Sequence, residues 1–206
     1  MSGKFITIEG SEGVGKSTNI EFISNYLKSK NITTVETREP GGTKTAEEIR
    51  RVLLNTEGEN VPEIAELLLF FAARSFHIEN LIKPAIKQGF YVICDRFSDA
   101  TIAYQGFGRG FDIKDINTIA SWVQKELQPD LTILLDAPAE IGMQRAKKRG
   151  AIDRMETEDI SFYERVRHGY LDLADKHQDR FAVIDASQSL ESVQKEILKH
   201  LDYLLA

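Results

Sequence analysis

Cysteine is nearly absent from this 206-residue chain, whose single thiol is Cys94. One cysteine builds neither a disulfide framework nor a cysteine-based zinc site, so a reducing compartment is expected. Long apolar runs are missing as well. The longest, Ile64 to Ala73, is interrupted by Glu66 and falls well short of the ~20 residues that span a bilayer. The start, Met1-Ser2-Gly3-Lys4 running into Phe5-Ile6-Thr7-Ile8, has no apolar region of signal-peptide length and no cleavage site, and a cytoplasmic protein is the expectation. A basic excess is missing too. The 26 Lys and Arg stand against 32 Asp and Glu for a net charge of -6, which excludes a broad footprint for nucleic acid or an anionic membrane. Any polyphosphate ligand has to be met by local positive charge. Linkers, repeats and low-complexity tracts are absent, and hydrophobic residues at 42% with charged residues at 28% match a soluble globular chain, here of one domain over residues 1–206.

What is present is an alternation. Short apolar runs of strand length, Phe5 to Ile8, Ile32 to Val35, Phe90 to Cys94, Leu131 to Leu135 and Phe181 to Ile184, are separated by stretches of helical periodicity. That pattern predicts an α/β fold with parallel strands joined by crossover helices. Ile20, Ile23 and Leu27 recur on one helical face, Thr45 with Glu48 reads as a capping box, and Pro138 suits a first helical turn. A helix beginning near His77 ends at Gly89, with Pro84 kinking it or marking a change of segment. Pro129-Asp130 delivers the chain into the fourth strand.

Gly10-Ser11-Glu12-Gly13-Val14-Gly15-Lys16-Ser17 satisfies G-x-x-x-x-G-K-[ST] between a predicted strand and a predicted helix, the context that gives the pattern meaning. The glycines would let backbone N–H groups curl around phosphate, the helix start would add positive potential, Lys16 would reach the β/γ oxygens and Ser17 would ligate Mg2+. The bland alternative is a glycine-rich turn without ligand. Switches and motors share this loop, but the Asn-Lys-x-Asp element expected of a GTPase is absent. Small kinases need a second anionic pocket at the carboxyl ends of parallel strands. Asp95-Arg96, ending the Phe90 to Cys94 strand, supplies a carboxylate for Mg2+ or its waters and a guanidinium for phosphate. Asp136, ending another strand just before Pro138, is an alternative Mg2+ site or a helix cap. Phe70 and Arg74, four apart, share a helical face, where they either read a base or form core and solvated surface. Arg145, Lys147, Lys148, Arg149 and Arg154, with Asp153 the one acid among them, give a local charge of +4 against -10 elsewhere, either a solvated face or a charged tip over a polyphosphate.

Taken together and in order, these elements resemble the thymidylate kinase family across essentially the whole chain. The carriers are the P-loop with its acid at Glu12, Thr37-Arg38-Glu39-Pro40-Gly41-Gly42-Thr43, Phe70-x-Ala72-Ala73-Arg74, Asp95-Arg96, Tyr104-Gln105-Gly106 and Arg149-Gly150-x-x-Asp153-Arg154. The resemblance implies a P-loop NTPase fold with a five-stranded parallel sheet and helices on both faces, usually as a homodimer. It also implies transfer of the γ-phosphoryl of MgATP to dTMP, giving dTDP for dTTP synthesis. Residues Gly10 to Thr18 would bind ATP, Phe70 would stack on thymine, Arg74 would donate to a base oxygen, and Gln105 with Thr101 would read the pyrimidine edge. Arg96 would hold the dTMP phosphate, and Glu12 and Tyr104 would approach the sugar. Arg38, Glu39 and Arg50 match positions near the acceptor, and the Glu39-Pro40 bond is expected to be cis. Gly13 stands where one branch of the family carries arginine, so the bacterial branch is indicated, with catalysis by Lys16, Arg96 and the lid arginines Arg149 and Arg154 within about 145–156. The alternatives are a kinase for another nucleotide or deoxynucleoside, and a P-loop nucleotide-dependent switch.

Overall fold

Five parallel strands form one sheet in the order β2-β3-β1-β4-β5. The computed structural model describes residues 3–54, 61–149 and 158–206, with the backbone alone at 147–149. The strands are β1 (Phe5–Glu9), β2 (Thr34–Arg38), β3 (Tyr91–Asp95), β4 (Leu131–Asp136) and β5 (Phe181–Asp185). Around them run α1 (Lys16–Ser29), α2 (Lys44–Leu54), α3 (Glu63–His77), α4 (Lys83–Lys87), α5 (Ser98–Thr101), α6 (Ile113–Gln124), α7 (Ala139–Arg149), α8 (Ile160–Lys176) and α9 (Leu190–Leu205). Two π-helical stretches, Ile78–Ile82 and Ile102–Gly108, follow α3 and α5 without a break.

The period of two along each strand sorts the core into layers. Ile6 and Ile8 of β1 pack with Ile93, Ile133 and Ile184 against Ile20, Ile23 and Leu27 of α1 and Val193, Ile197 and Leu201 of α9. On the opposite face, Phe5, Val92 and Cys94 meet Ile78 and Ile82, while Leu134 meets Tyr104, Phe162, Val166 and Tyr170. That second face also buries polar groups, with Thr7 and Thr132 hydroxyls 2.9 Å apart and Glu9 wholly enclosed. Because β1 lies between β3 and β4, the crevice beyond the strands' carboxyl ends is walled by β1, β3 and β4. That crevice is where such sheets bind ligands.

The strand and helix readings need two local corrections. The second strand is Thr34–Arg38, not Ile32 to Val35. It is an edge strand, so ladder pairing with β3 rather than apolar content sets its extent, and Arg38 comes to lie opposite Asp95. The cap of α2 is Thr43, not Thr45: its Oγ1 accepts Ala46 N at 3.4 Å, and Glu47 Oε1 accepts Gly42 N at 2.9 Å. Gly41 and Gly42, at φ 138° and 84°, turn the chain early enough to start the helix at Lys44. Of the two readings of Pro84, the change of segment holds: it sits in the first turn of α4. The π-helical stretch before it absorbs the change, and Gly89 at φ 84° ends the segment as expected.

Candidate active site

The loop leaving β1 is shaped by what lies behind it. A Cβ on Gly10 (φ 131°) would stand 2.4 Å from the Leu135 carbonyl oxygen, and one on Gly13 (φ 71°) would stand 2.1 Å from that of Gly142 in α7. Reciprocally, a Cβ on Gly142 would be 2.5 Å from the Glu12 carbonyl oxygen. The absence of arginine at position 13 is therefore a packing requirement, since backbone occupies the place where its side chain would begin. Gly15, at φ 94°, opens α1.

Lys16 folds back over this loop. Its Nζ donates to the carbonyls of Ser11 at 2.8 Å and Gly10 at 3.2 Å. Burial, and after it the charge of Arg96, lowers its pKa below the ordinary lysine value. Across the crevice Arg96 holds a left-handed backbone, φ 69°, and its guanidinium reaches Glu12 Oε1 at 2.5 Å while lying 4.7 Å from the Tyr104 ring centroid. Tyr104 donates to the same Glu12 oxygen at 3.2 Å. Burial alone would weaken the Arg96 charge, but Glu12 and then Tyr104 outweigh it and hold its pKa above the usual arginine range. Beneath Arg96, Glu9 accepts the Phe97 N–H at 2.7 Å and the Tyr170 hydroxyl at 2.8 Å. Burial, then the neighbouring Asp99, pushes the Glu9 carboxyl up to about 8.

Another side of the crevice is built on α3, where Glu66, Phe70, Arg74 and His77 fall on one stripe. Arg74 is only 2% exposed. Its Nε donates to Glu39 Oε2 at 2.7 Å, and its Nη2 to Phe97 O at 3.1 Å and Thr101 Oγ1 at 2.9 Å. Its Nη1 is buried with no partner among the described residues. Phe71 and Phe97 flank the guanidinium at 5.1 and 5.3 Å. Phe70 is half-buried. The choice between core Phe70 with solvated Arg74 and a base-reading pair thus goes against the former on both residues. Glu39 forms the expected cis bond with Pro40, and both its oxygens are engaged, the second by His77 Nδ1 at 2.9 Å. His77 Nε2 in turn lies 2.7 Å from Thr37 Oγ1.

A cavity of about 440 Å³ brings these parts together. Glu12, Gly13, Gly15, Lys16, Ser17, Thr18, Arg38, Glu39, Arg50, Phe70, Arg74, Asp95, Arg96, Thr101, Tyr104 and Gln105 all border it. Three loop residues do not: Gly10 is pressed against Leu135, Ser11 offers its carbonyl to Lys16, and Val14 lies in the core. Arg38 pairs with Glu47 at 2.9 Å and Arg50 donates to Pro40 O at 2.9 Å, so both brace the cis turn from the cavity's rim. Asp136 is not at the site. Arg167 grips it through two hydrogen bonds of 2.7 and 2.8 Å, which removes it as a metal ligand. Of the segment expected to form a lid, Arg145 borders the cavity with Nη1 on Ala186 O at 2.9 Å. The Arg149 side chain and all of Arg154 lie outside the described residues.

Asp95 Oδ1 is buried without a partner among the described residues, and it borders the same cavity as the Ser17 hydroxyl. No cluster of three or more His, Cys, Asp or Glu suited to a metal occurs among the described residues. One carboxylate and one hydroxyl fit Mg2+, which keeps waters and takes phosphate oxygens instead of filling an all-protein cage. Sequence reasoning missed Glu9, Glu66, His77 and Arg109, the last of which donates from Nε to Glu66 Oε1 at 3.1 Å. For Glu66 and His77 a signal existed, because polar residues spaced four, four and three along an apolar helix mark a stripe facing something polar.

A family model described as thymidylate kinase matches residues 8–197. The thymidylate kinase of Chromohalobacter salexigens is 52% identical over 206 residues, covering 99% of this chain and 97% of its own length. That of Teredinibacter turnerae is 50% identical over 205 residues and is covered, like this chain, to 100%. The crystal structure of thymidylate kinase from Ehrlichia chaffeensis matches with a TM-score of 0.79 at 36% identity, over 98% of this chain and 99% of that one.

Proposed function

This chain belongs to the thymidylate kinase family, whose members phosphorylate dTMP from ATP, and we propose that it does so in the cavity described above. The observation that carries the assignment of roles is the unpartnered Arg74 Nη1, a buried donor bordering the same cavity as Lys16 and Arg96. An unsatisfied buried donor costs about 1–3 kcal/mol, and a base carbonyl oxygen removes that cost. With thymine against Phe70 and its edge on Arg74, Thr101 and Gln105, the 5′-phosphate extends toward Arg96.

The nucleophile is an oxygen of that phosphate and is already anionic. No general base is needed, and catalysis rests on positioning and charge neutralisation. Arg96 has two tasks that its geometry supports: the left-handed backbone and the Glu12 contact fix its direction, and its raised pKa keeps it charged. Lys16 exchanges the carbonyls of Gly10 and Ser11 for donor phosphate oxygens. Glu12 and Tyr104, joined at one oxygen, close the site over the sugar. Ser17 and Asp95 would hold Mg2+, which supplies charge neutralisation at the phosphates when bound. Arg149 and Arg154 complete the transition-state charge on the strength of the family resemblance, and the Gly13 contact with Gly142 supports that assignment by leaving the loop no room for an arginine.

A homodimer belongs to the same reading. Helix α3 packs against both α2 and α6, and these helices expose Val52, Ile64, Leu68, Phe76 and Trp122, an apolar surface suited to a second copy of this chain. A cytoplasmic location is proposed with it, since a kinase using ATP on a nucleotide works where both are made. A coupled ADP-release assay with dTMP, dUMP, dCMP, dAMP and dGMP tests the assignment. Strong stimulation by dTMP is expected, and ADP release indifferent to every acceptor would overturn it.

A further inference from the structure

The amide of Gln105 is held from behind. Its Nε2 donates to Glu66 Oε1 at 3.1 Å, and both side chains are buried. The same Glu66 oxygen accepts Arg109 Nε at 3.1 Å. Arg109 is itself fixed, with Nη1 3.0 Å from Glu158 Oε1 and its guanidinium 5.6 Å from the Phe162 ring centroid. Burial works against the Arg109 charge, but Glu66 and then Glu158 outweigh it and hold its pKa above the ordinary value.

The two ends of a glutamine amide have nearly the same shape and opposite chemistry, so the partner on one side decides what the other side offers. A carboxylate only accepts hydrogen bonds. Facing Glu66, the amide has to present its NH2. The oxygen, to which no described residue donates, is then left for the cavity that Gln105 borders. An oxygen there matches a pyrimidine whose N3 carries hydrogen, as in thymine and uracil, and opposes cytosine, whose N3 is an acceptor. Arg74 cannot make this distinction alone, because its Nη1 is a donor that any base carbonyl or ring acceptor satisfies.

We infer that Glu66, clamped by Arg109, is a positioning residue that selects the acceptor base by locking the Gln105 amide with its oxygen toward the cavity. The inference rests on the reading above that the base sits against Arg74 and Gln105. It makes an asymmetric demand on substitutions. In Glu66→Gln the new amide keeps its oxygen toward Arg109, a donor only, and therefore still accepts from Gln105. In Glu66→Met the acceptor is gone and the Gln105 amide is free to turn. In Glu66→Gln with Arg109→Met, the residue 66 amide loses the Arg109 donor that would hold its oxygen.

The test is kcat and KM for dTMP and for dCMP at saturating ATP, with thermal melts of each variant. Glu66→Met is expected to raise the dTMP KM about tenfold with kcat changed far less, and to narrow the dTMP-to-dCMP ratio of kcat/KM by a similar factor. Glu66→Gln is expected to keep the wild-type ratio. A folded Glu66→Met variant with an unchanged ratio overturns the inference, as does a Glu66→Gln variant that loses the ratio as fully as Glu66→Met. If Glu66→Met fails to fold, the Glu66→Gln/Arg109→Met variant carries the test: a narrowed ratio supports the inference and an unchanged one overturns it. Gln105→Ala separates the two layers of argument. If it leaves the dTMP KM unchanged, the base does not sit there, and the site reading falls together with what is built on it.

Discussion

A single methyl group at Gly13 is the smallest perturbation that tests how the phosphate loop is seated. The residue has φ 71°, and an added Cβ would be 2.1 Å from the Gly142 carbonyl oxygen and 2.9 Å from its carbon. A left-handed backbone costs a non-glycine residue about 1–2 kcal/mol, and forcing atoms into a packed contact costs about 1–3 kcal/mol more. Together these predict a loss of roughly 2–5 kcal/mol for Gly13→Ala, which at this chain length lowers the melting temperature by roughly 4–20 °C. Gly142→Ala lacks the backbone penalty, since Gly142 is helical, and should fall at the lower end. Both substitutions push apart the same loop and helix, so the double variant should lose less than the two single losses added together. The displaced loop should raise the KM for ATP while dTMP affinity changes little. Thermal melts and the two Michaelis constants decide it: a Gly13→Ala variant melting within about 1 °C of wild type, with an unchanged ATP KM, would refute the reasoning.

Three further outcomes are expected. Arg74→Lys preserves a charge for Glu39 but not the planar fork, so the dTMP KM should rise about tenfold or more with the ATP KM unaffected. Arg74→Ala should in addition lose about 3–5 kcal/mol of stability, because Glu39 would keep only His77; equal effects on both Michaelis constants would contradict the base-reading role. Glu9, enclosed with Asp99, Tyr170, Arg96, Lys16 and Arg180 acting on it, has its pKa raised to about 8. A raised acid favours folding below its unfolded pKa and loses that contribution as pH climbs toward 8, by at most about 1.4 kcal/mol per pH unit. Glu9→Gln should flatten the fall in melting temperature over that window, and an unaltered slope would contradict the assignment. Arg154→Ala should slow single-turnover phosphoryl transfer by about 10²-fold to 10³-fold with little change in dTMP KM; wild-type speed would exclude it as the source of catalytic charge.

The sheet was legible because each strand is a short apolar run between helical periods, a signal that survives without knowing the partner strand. The strand β2 slid because Thr34-Val35-Glu36-Thr37-Arg38 is not an apolar run, so ladder pairing with β3 sets its ends. The phosphate loop was legible because its chemistry is local: Lys16, Ser17 and three glycines lie within eight residues. The burial of Arg74 was not legible. Helical spacing places it beside Phe70 but cannot supply Glu39, Phe97 and Thr101, which arrive from two other segments. Nor does the sequence contain the reason for Gly13, because its neighbour Gly142 is more than a hundred positions away. Glu66 and His77 were visible as a polar stripe and passed over, while Arg109 had no signal of its own.

The central claim is that one cavity separates two tasks, with acceptor recognition on the α3 side and phosphoryl transfer on the loop side. Lys16→Ala tests it most directly, with turnover measured alongside the dTMP dissociation constant from titration calorimetry. Among the described residues Lys16 donates hydrogen bonds only to loop carbonyls, so the fold by circular dichroism and the dTMP dissociation constant should stay close to wild type. Turnover should fall about 10²-fold or more. A variant that keeps more than about a tenth of the wild-type rate, or that loses dTMP binding along with turnover, would contradict the account.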